Sequence, residues 1–344
     1  MKTYQKALIG AGAAAAGVEG VFRMMFCGMP QDYSSKKEFH IEDLPTPAQS
    51  VVKNLVKRQD KLGMLARMEL TFMEMDGAPY KQAKRKWDAI PHEEYRIVNP
   101  DWQTLHGIFF PSETDSDVFV LLSHGYNMNA TQEWTRYVPI YHKMGYNVLA
   151  IDHVAEGESE GRYITFGEQE SRDAVFWLNY FNDKFGKDNI QFFLHGCSMC
   201  ASTVLLMTGD AQLPDNVKFI IEDSGYTSAK EEFDYILDAF HIPKAIADPL
   251  VKAVFAYYHL RTGKDLRNTD ALAAAASTSL PIMVIHGDDD VFVPMEMGKR
   301  IYEAAGSSDK ELHIVEDATH CASEYLYPDE YFDYVREFAA KHLD

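Results

Sequence analysis

Six short apolar runs, separated by longer amphipathic stretches, constrain this chain more than any other feature. They are Val118–Leu122, Val148–Ile151, Ile190–Leu194, Phe219–Ile221, Ile282–Ile285 and Leu312–Val315. Continuous apolar runs of this length suit strands buried on both faces, as in a parallel sheet. Between them, the text from Glu168 to Phe181 sets Ala174, Trp177, Leu178 and Phe181 on one helical face. Tyr331, Val335 and Phe338 do the same near the C-terminus. Strand–helix alternation of this kind predicts an α/β domain with a doubly wound, mostly parallel sheet. The pair Arg96–Val98 and Thr104–Phe109 reads as an antiparallel hairpin at its start.

The rhythm is interrupted once. From Tyr226 to Pro281 the text is helical, with Glu231–Phe240 and Leu250–Tyr258 as its clearest segments. An insertion there, at about residues 228–280, overlies the carboxyl ends of the strands, where open α/β sheets bind ligands. It predicts a helical cap whose aromatic side chains, including Phe233, Tyr235, Phe240, Phe255 and Tyr258, wall a substrate pocket. Residues 1–90 form a separate N-terminal helical extension in this reading, and 91–344 the main domain. Within the extension, Val52, Leu55, Val56, Leu62, Leu65 and Met68 form an apolar stripe over 46–88.

The first residues carry two weaker signals. Lys2 and Lys6 precede an apolar run, Ala7 to Val18, too short for the roughly 20 residues that a membrane-spanning helix needs. It suits a signal segment, a membrane-associating helix or a short docking helix. Gly10-Ala-Gly12-Ala-Ala-Ala15, with Asp32 further on, imitates a dinucleotide fingerprint. That motif requires a βαβ unit around it, and nothing strand-like follows before Asp32.

Composition narrows the function classes. A formal net charge of −19 repels a phosphate backbone and argues against nucleic-acid binding. Cys27, Cys197, Cys200 and Cys321 do not have the pattern of a disulfide scaffold; as free thiols they favour the cytoplasm. Cys197-x-x-Cys200 has the spacing of a redox pair or half a zinc site, but no second ligand pair accompanies it. No metal or organic cofactor is expected. The sequence carries no signal for an oligomeric state.

Chemistry gathers at the strand ends. Ile190–Leu194 runs into His195-Gly196-Cys197-Ser198-Met199-Cys200 and then helical text. Strand, sharp turn, serine and helix form the context of a nucleophile elbow. Ile282–Ile285 runs into His286-Gly287-Asp288-Asp289-Asp290-Val291-Phe292-Val293-Pro294, and Leu312–Val315 into Ala318-Thr319-His320-Cys321. Candidate nucleophile, acid and base therefore leave separate strands in the order Ser, Asp, His. Asp288 and Asp289 compete with Asp290 for the acid, and Asp223 ends another strand. His124, His195 and His286 read as loop-bracing residues, and Cys197 and Cys321 as packing.

From about Glu93 onward these motifs resemble the α/β-hydrolase superfamily, in particular bacterial esterase-like and peptidase-like members. The acid loop His286–Pro294 and the segments Glu222-Asp-Ser-Gly-Tyr-Thr-Ser228 and Gly157-Glu-Ser-Glu-Gly161 carry the likeness. It implies Ser198 as nucleophile, Asp290 as acid and His320 as base, with the Tyr126 and Met199 N–H groups as oxyanion hole. It also implies a small-molecule ester or related acyl substrate; the same triad serves amidases, peptidases, thioesterases and acyltransferases, and a non-catalytic hydrolase-like binding protein is the alternative of another class. The sequence departs from that pattern twice. Cys200 stands where glycine is usual, so crowding is expected at the helix start. Val154-Ala155-Glu156-Gly157 stands where relatives carry Arg-Gly-His-Gly, so altered packing is expected beside the site.

Overall fold

The apolar runs become strands in the computed structural model of the chain, which describes residues 26–27, 78–239 and 242–343. Eight strands form one sheet: β1 Glu93–Val98, β2 Thr104–Phe110, β3 Val118–Ser123, β4 Asn147–Ile151, β5 Gln191–Cys197, β6 Val217–Asp223, β7 Ile282–Gly287 and β8 Lys310–Val315. Their order is β1-β2-β4-β3-β5-β6-β7-β8. β1 and β2 pair antiparallel, as does β2 with β4, and every later pairing is parallel. The expected hairpin at Arg96–Val98 and Thr104–Phe109 is therefore present, with Ile97 opposite Leu105.

Burial explains the sequence pattern strand by strand. β3, β4, β5 and β7 are buried at every residue, which is why they read as unbroken apolar text. β8 differs from the expectation for Leu312–Val315. It is the sheet's edge, paired only with β7, and its residues are half-exposed, Ile314 at 37%.

Helices cover both faces. The stripe Ala174, Trp177, Leu178 and Phe181 of the helix Glu168–Phe185 is fully buried, against Phe109, Phe119 and Leu194 among others. Gly167 starts this helix in the left-handed region, and the Glu170 carboxyl accepts its N–H at 2.9 Å. On the opposite face, Tyr331, Val335 and Phe338 of the helix Pro328–His342 pack with Trp134, Tyr141 and Phe219. Trp87 of the helix Ala78–Ala89 joins that layer, its ring 4.6 Å from Phe110.

A third apolar cluster lies beyond the carboxyl ends of the strands. It contains Phe233, Val254 and Tyr258 from the helices Ala229–Ala239 and Lys244–Thr262, together with Met199, Cys200 and Val293. These helices, with Ala271–Ser277, occupy the interval between β6 and β7. Phe240, the stripe from Val52 to Met68, the Ala7–Val18 run and the Gly10–Ala15 stretch lie outside the described residues. Among the described residues, no helix is long and apolar enough to cross a membrane.

The packing predicts a sharp contrast in mutational cost. Phe181→Ala removes a fully buried ring that contacts Tyr95, Phe109 and Phe185, and should destabilise by about 3–5 kcal/mol. Trp102 is 88% exposed, so Trp102→Ala should stay within about 0.5 kcal/mol. Urea unfolding of both variants beside the wild type measures the difference.

Candidate active site

Ser198 follows β5 and precedes the helix Met199–Leu206, with φ 56° and ψ −121°. A non-glycine residue at positive φ is strained by roughly 1–3 kcal/mol and needs its surroundings to hold it there. Two features do so. The Ser198 N–H donates to the Asp223 carbonyl at the end of β6, at 2.8 Å. Gly196 lets the helix fold back onto the strand, because a Cβ there would lie 1.9 Å from the Cys200 carbonyl oxygen. The turn leaves Ser198 Oγ 2.7 Å from His320 Nε2.

His320 lies on the loop after β8, and its Nδ1 is 2.7 Å from Asp290 Oδ2. Asp290 lies on the loop after β7. Its Oδ1 accepts the N–H groups of Phe292 at 3.0 Å and Val293 at 2.9 Å. His286 adds a further contact, Nε2 to Oδ2 at 3.3 Å, while also donating to the Val293 carbonyl at 2.9 Å. Burial opposes ionisation of Asp290, but the facing His320 and the imidazole hydrogen bonds outweigh it and hold its pKa at about 2. Burial likewise opposes charge on His320, yet the Asp290 carboxylate prevails and raises its pKa well above the ordinary histidine value.

The rival acids end up elsewhere. Asp288 and Asp289 are exposed, and Asp288 accepts the Asp317 N–H at 2.7 Å. Asp223 is buried, accepting from Tyr331 Oη at 2.7 Å and Ser224 Oγ at 2.9 Å. Because Tyr331 donates to Asp223, its oxygen is left to accept from His195 Nε2, at 3.0 Å. His195 Nδ1 then accepts from Tyr141 Oη at 2.7 Å, and burial lowers the His195 pKa to about 3. His195 is thus a neutral brace, within β5 rather than in a loop as expected, between the helices Val138–Lys143 and Pro328–His342.

The two oxyanion candidates flank Ser198. A Cβ on Gly125 would lie 3.2 Å from Ser198 Cβ, so the chain after β3 passes close beside the serine just before Tyr126. Met199 opens its helix, where an N–H has no carbonyl one turn back to receive it. His124 holds the loop by donating from Nδ1 to the Gly125 carbonyl at 2.8 Å while its Nε2 accepts the His153 N–H at 3.1 Å.

The two departures from the superfamily pattern are accommodated locally. Cys200 points its Sγ to His153 Nε2, 3.2 Å away, and its side chain is buried at the start of the helix Met199–Leu206. Glu156 sends a carboxyl oxygen to the Asn127 N–H, tying the loop after β4 to the loop that carries Tyr126. Cys197 faces Cys321 at 2.7 Å between sulfurs, both as free thiols, so the two members of Cys197-x-x-Cys200 face different partners.

Two nearby carboxyls were not among the site residues read from the sequence, although Glu222 opens the segment Glu222–Ser228. Glu232, on the helix Ala229–Ala239, is buried, and neither oxygen has a hydrogen-bond partner among the described residues. Burial raises its pKa to about 8, with His320 and Asp290 close enough to modulate it. Glu222, at the end of β6, is pushed up to about 7 by the same cause. Glu232 stands beside a buried aromatic in helical text, which gives no sign of which way it points, and Glu222 ends a strand whose segment was read only for its likeness.

Comparison with known proteins agrees with this architecture. The family model described as serine aminopeptidase, S33, matches residues 238–323. The protein YqkD of Bacillus subtilis is 29% identical over 210 residues, covering 61% of this chain and 67% of that one. Caffeoylshikimate esterase of Arabidopsis thaliana is 26% identical over 277 residues, covering 68% and 83%. Among solved structures, the esterase Pf2001 of Pyrococcus furiosus superposes with a TM-score of 0.60 at 22% identity, covering 74% of this chain and 93% of that one.

The close approach at Gly196 makes it the least replaceable residue of the turn. Gly196→Val should destabilise the protein by about 2–4 kcal/mol, because backbone rather than a flexible side chain must yield. Thermal and urea unfolding test this, and a loss below about 0.5 kcal/mol would contradict the packing described.

Proposed function

Because this chain belongs to the α/β-hydrolase superfamily of enzymes, we propose that it is a serine hydrolase cleaving carboxylic esters through an acyl-enzyme. The observation that carries the reading is the continuous path Ser198 Oγ–His320 Nε2 and His320 Nδ1–Asp290 Oδ2, each step 2.7 Å. A serine hydroxyl becomes an effective nucleophile only when a positioned base takes its proton. In this reading Ser198 Oγ attacks the ester carbonyl carbon as His320 Nε2 receives that proton. Asp290 stabilises the imidazolium, being already ionised at neutral pH. The oxyanion is received by the Tyr126 and Met199 N–H groups; removing one such donor typically costs about 3 to 4 kcal/mol. Collapse breaks the bond to the alcohol, which takes the proton from His320, and water repeats the cycle on the acyl-serine.

The helices between β6 and β7 act as the cap in this scheme. Their aromatic side chains share a cluster with Met199 and Cys200, which favours apolar acyl or alcohol groups. A second reading, an aminopeptidase acting on aminoacyl amides, is favoured by the description of the matching family model. A panel of short acyl esters, aminoacyl amides and acyl thioesters distinguishes the two by relative kcat/KM.

Three measurements test the mechanism. A fluorophosphonate probe should modify Ser198 in the folded protein, located by peptide mass spectrometry. An unmodified Ser198 beside a labelled control hydrolase refutes the assignment. Asp290→Asn should keep the fold and lower kcat by about 10⁴-fold. Near-normal turnover there, with loss in Asp223→Asn, would move the acid to β6. The pH dependence follows from the raised His320 pKa. The active form has neutral His320, so kcat/KM rises with pH through that pKa, and the acid limb should lie above the ordinary value of about 6.5. In Asp290→Asn the carboxylate is gone while burial remains, so the limb should move to lower pH.

A further inference from the structure

Phe26 is the one aromatic residue from upstream of the helix Ala78–Ala89 that the structure describes, and it is fully buried. Its ring lies 4.8 Å from Tyr258, 5.5 Å from Phe166 and 5.9 Å from Phe233. The backbone is pinned as well as the side chain. The Phe26 carbonyl accepts the Ile164 N–H at 2.8 Å, and Cys27 forms an antiparallel bridge with Tyr163. Tyr163 in turn accepts from Arg261 of the helix Lys244–Thr262, at 3.2 Å. Phe26 and Cys27 are thus clamped between the segment after β4 and the helices that follow β6.

The position of this ring relative to Ser198 gives it a use. Phe26 belongs to the same apolar cluster as Met199 and Cys200, the two residues directly after Ser198. A chain of rings also links it to the other side of the serine: Tyr126 stacks on Phe166 at 5.4 Å, and Phe166 meets Phe26 edge-on. His320 takes the remaining side of Ser198 Oγ. The cluster that Phe26 joins thus includes the two residues directly after Ser198, and Phe26 stands one ring beyond Phe166 in it.

We propose that Phe26 forms the far wall of the acyl pocket, so that a residue outside the hydrolase sheet sets the length of acyl chain accepted. The enzyme would then take short acyl groups and reject longer unbranched ones. This rests on the reading of Ser198 as nucleophile, so the experiment separates the two. A pair of alkyl phosphonofluoridates with one leaving group, ethyl and octyl, is reacted with the full-length protein and with Phe26→Ala, Phe26→Leu and Phe26→Trp. The second-order rate of Ser198 modification is followed by mass spectrometry, and circular dichroism checks each fold.

The octyl-to-ethyl ratio should rise about tenfold or more in Phe26→Ala, the order of discrimination that a change in pocket size gives, and fall in Phe26→Trp. Should Phe26→Ala not fold, the opposite signs expected of Phe26→Leu and Phe26→Trp decide. Folded variants that all keep the wild-type ratio overturn the proposal while ethyl labelling upholds Ser198. No modification of Ser198 by either probe overturns both.

Discussion

The backbone of Ser198, held at φ 56° between strand and helix, is the constraint on which the rest of the site depends. An isolated chain would relax it, because the strain is comparable to the net worth of one or two hydrogen bonds. The sheet prevents this by pairing β5 with β6 in a register that sets Cys197 opposite Asp223 and brings the Asp223 carbonyl to the Ser198 N–H. Once the turn is fixed, Oγ can meet only what neighbouring strand ends deliver. β7 and β8 pair in parallel, so their loops leave the sheet on the same side and bring Asp290 and His320 to meet it.

The ionisable groups around that turn have been driven apart by their surroundings. Asp290 receives two backbone N–H groups and two imidazole contacts, and its pKa stays near 2 despite burial. Glu222 and Glu232, equally buried but without an imidazole hydrogen bond, rise to about 7 and 8. The facing His320 and the imidazole hydrogen bonds to Asp290 separate them, since all are shielded from water. Environments that push neighbouring carboxyls to different protonation states are a common property of hydrolytic sites.

The opposite wall is built from polar contacts between the loops after β3 and β4. Asp152 accepts from Ala130 N–H at 2.7 Å, from Glu158 N–H at 2.9 Å and from His106 Nδ1 at 2.7 Å, while Glu156 reaches Asn127. These contacts tie the loop after β4 to β2 and to the segment after β3.

Much of this was legible from residue order alone. Unbroken apolar runs marked the buried strands, since a strand covered on both faces has no polar face to show. The glycine and serine at Gly196 and Ser198, between a strand and a helix, marked the turn, because sterics at that junction admit few residues. Chain order then nominated the loops after β7 and β8. What order could not settle was which of three consecutive aspartates faces inward; burial of Asp290, with Asp288 and Asp289 left in solvent, decided it. Nor could it place Glu232 against His320, or Phe26 against Phe166 and Tyr258, residues far apart in sequence. Local sequence determines secondary structure and the turn because those interactions span a few residues. The partners of a buried carboxyl or a lone aromatic ring are fixed only when distant segments pack, so the tertiary structure alone decided them.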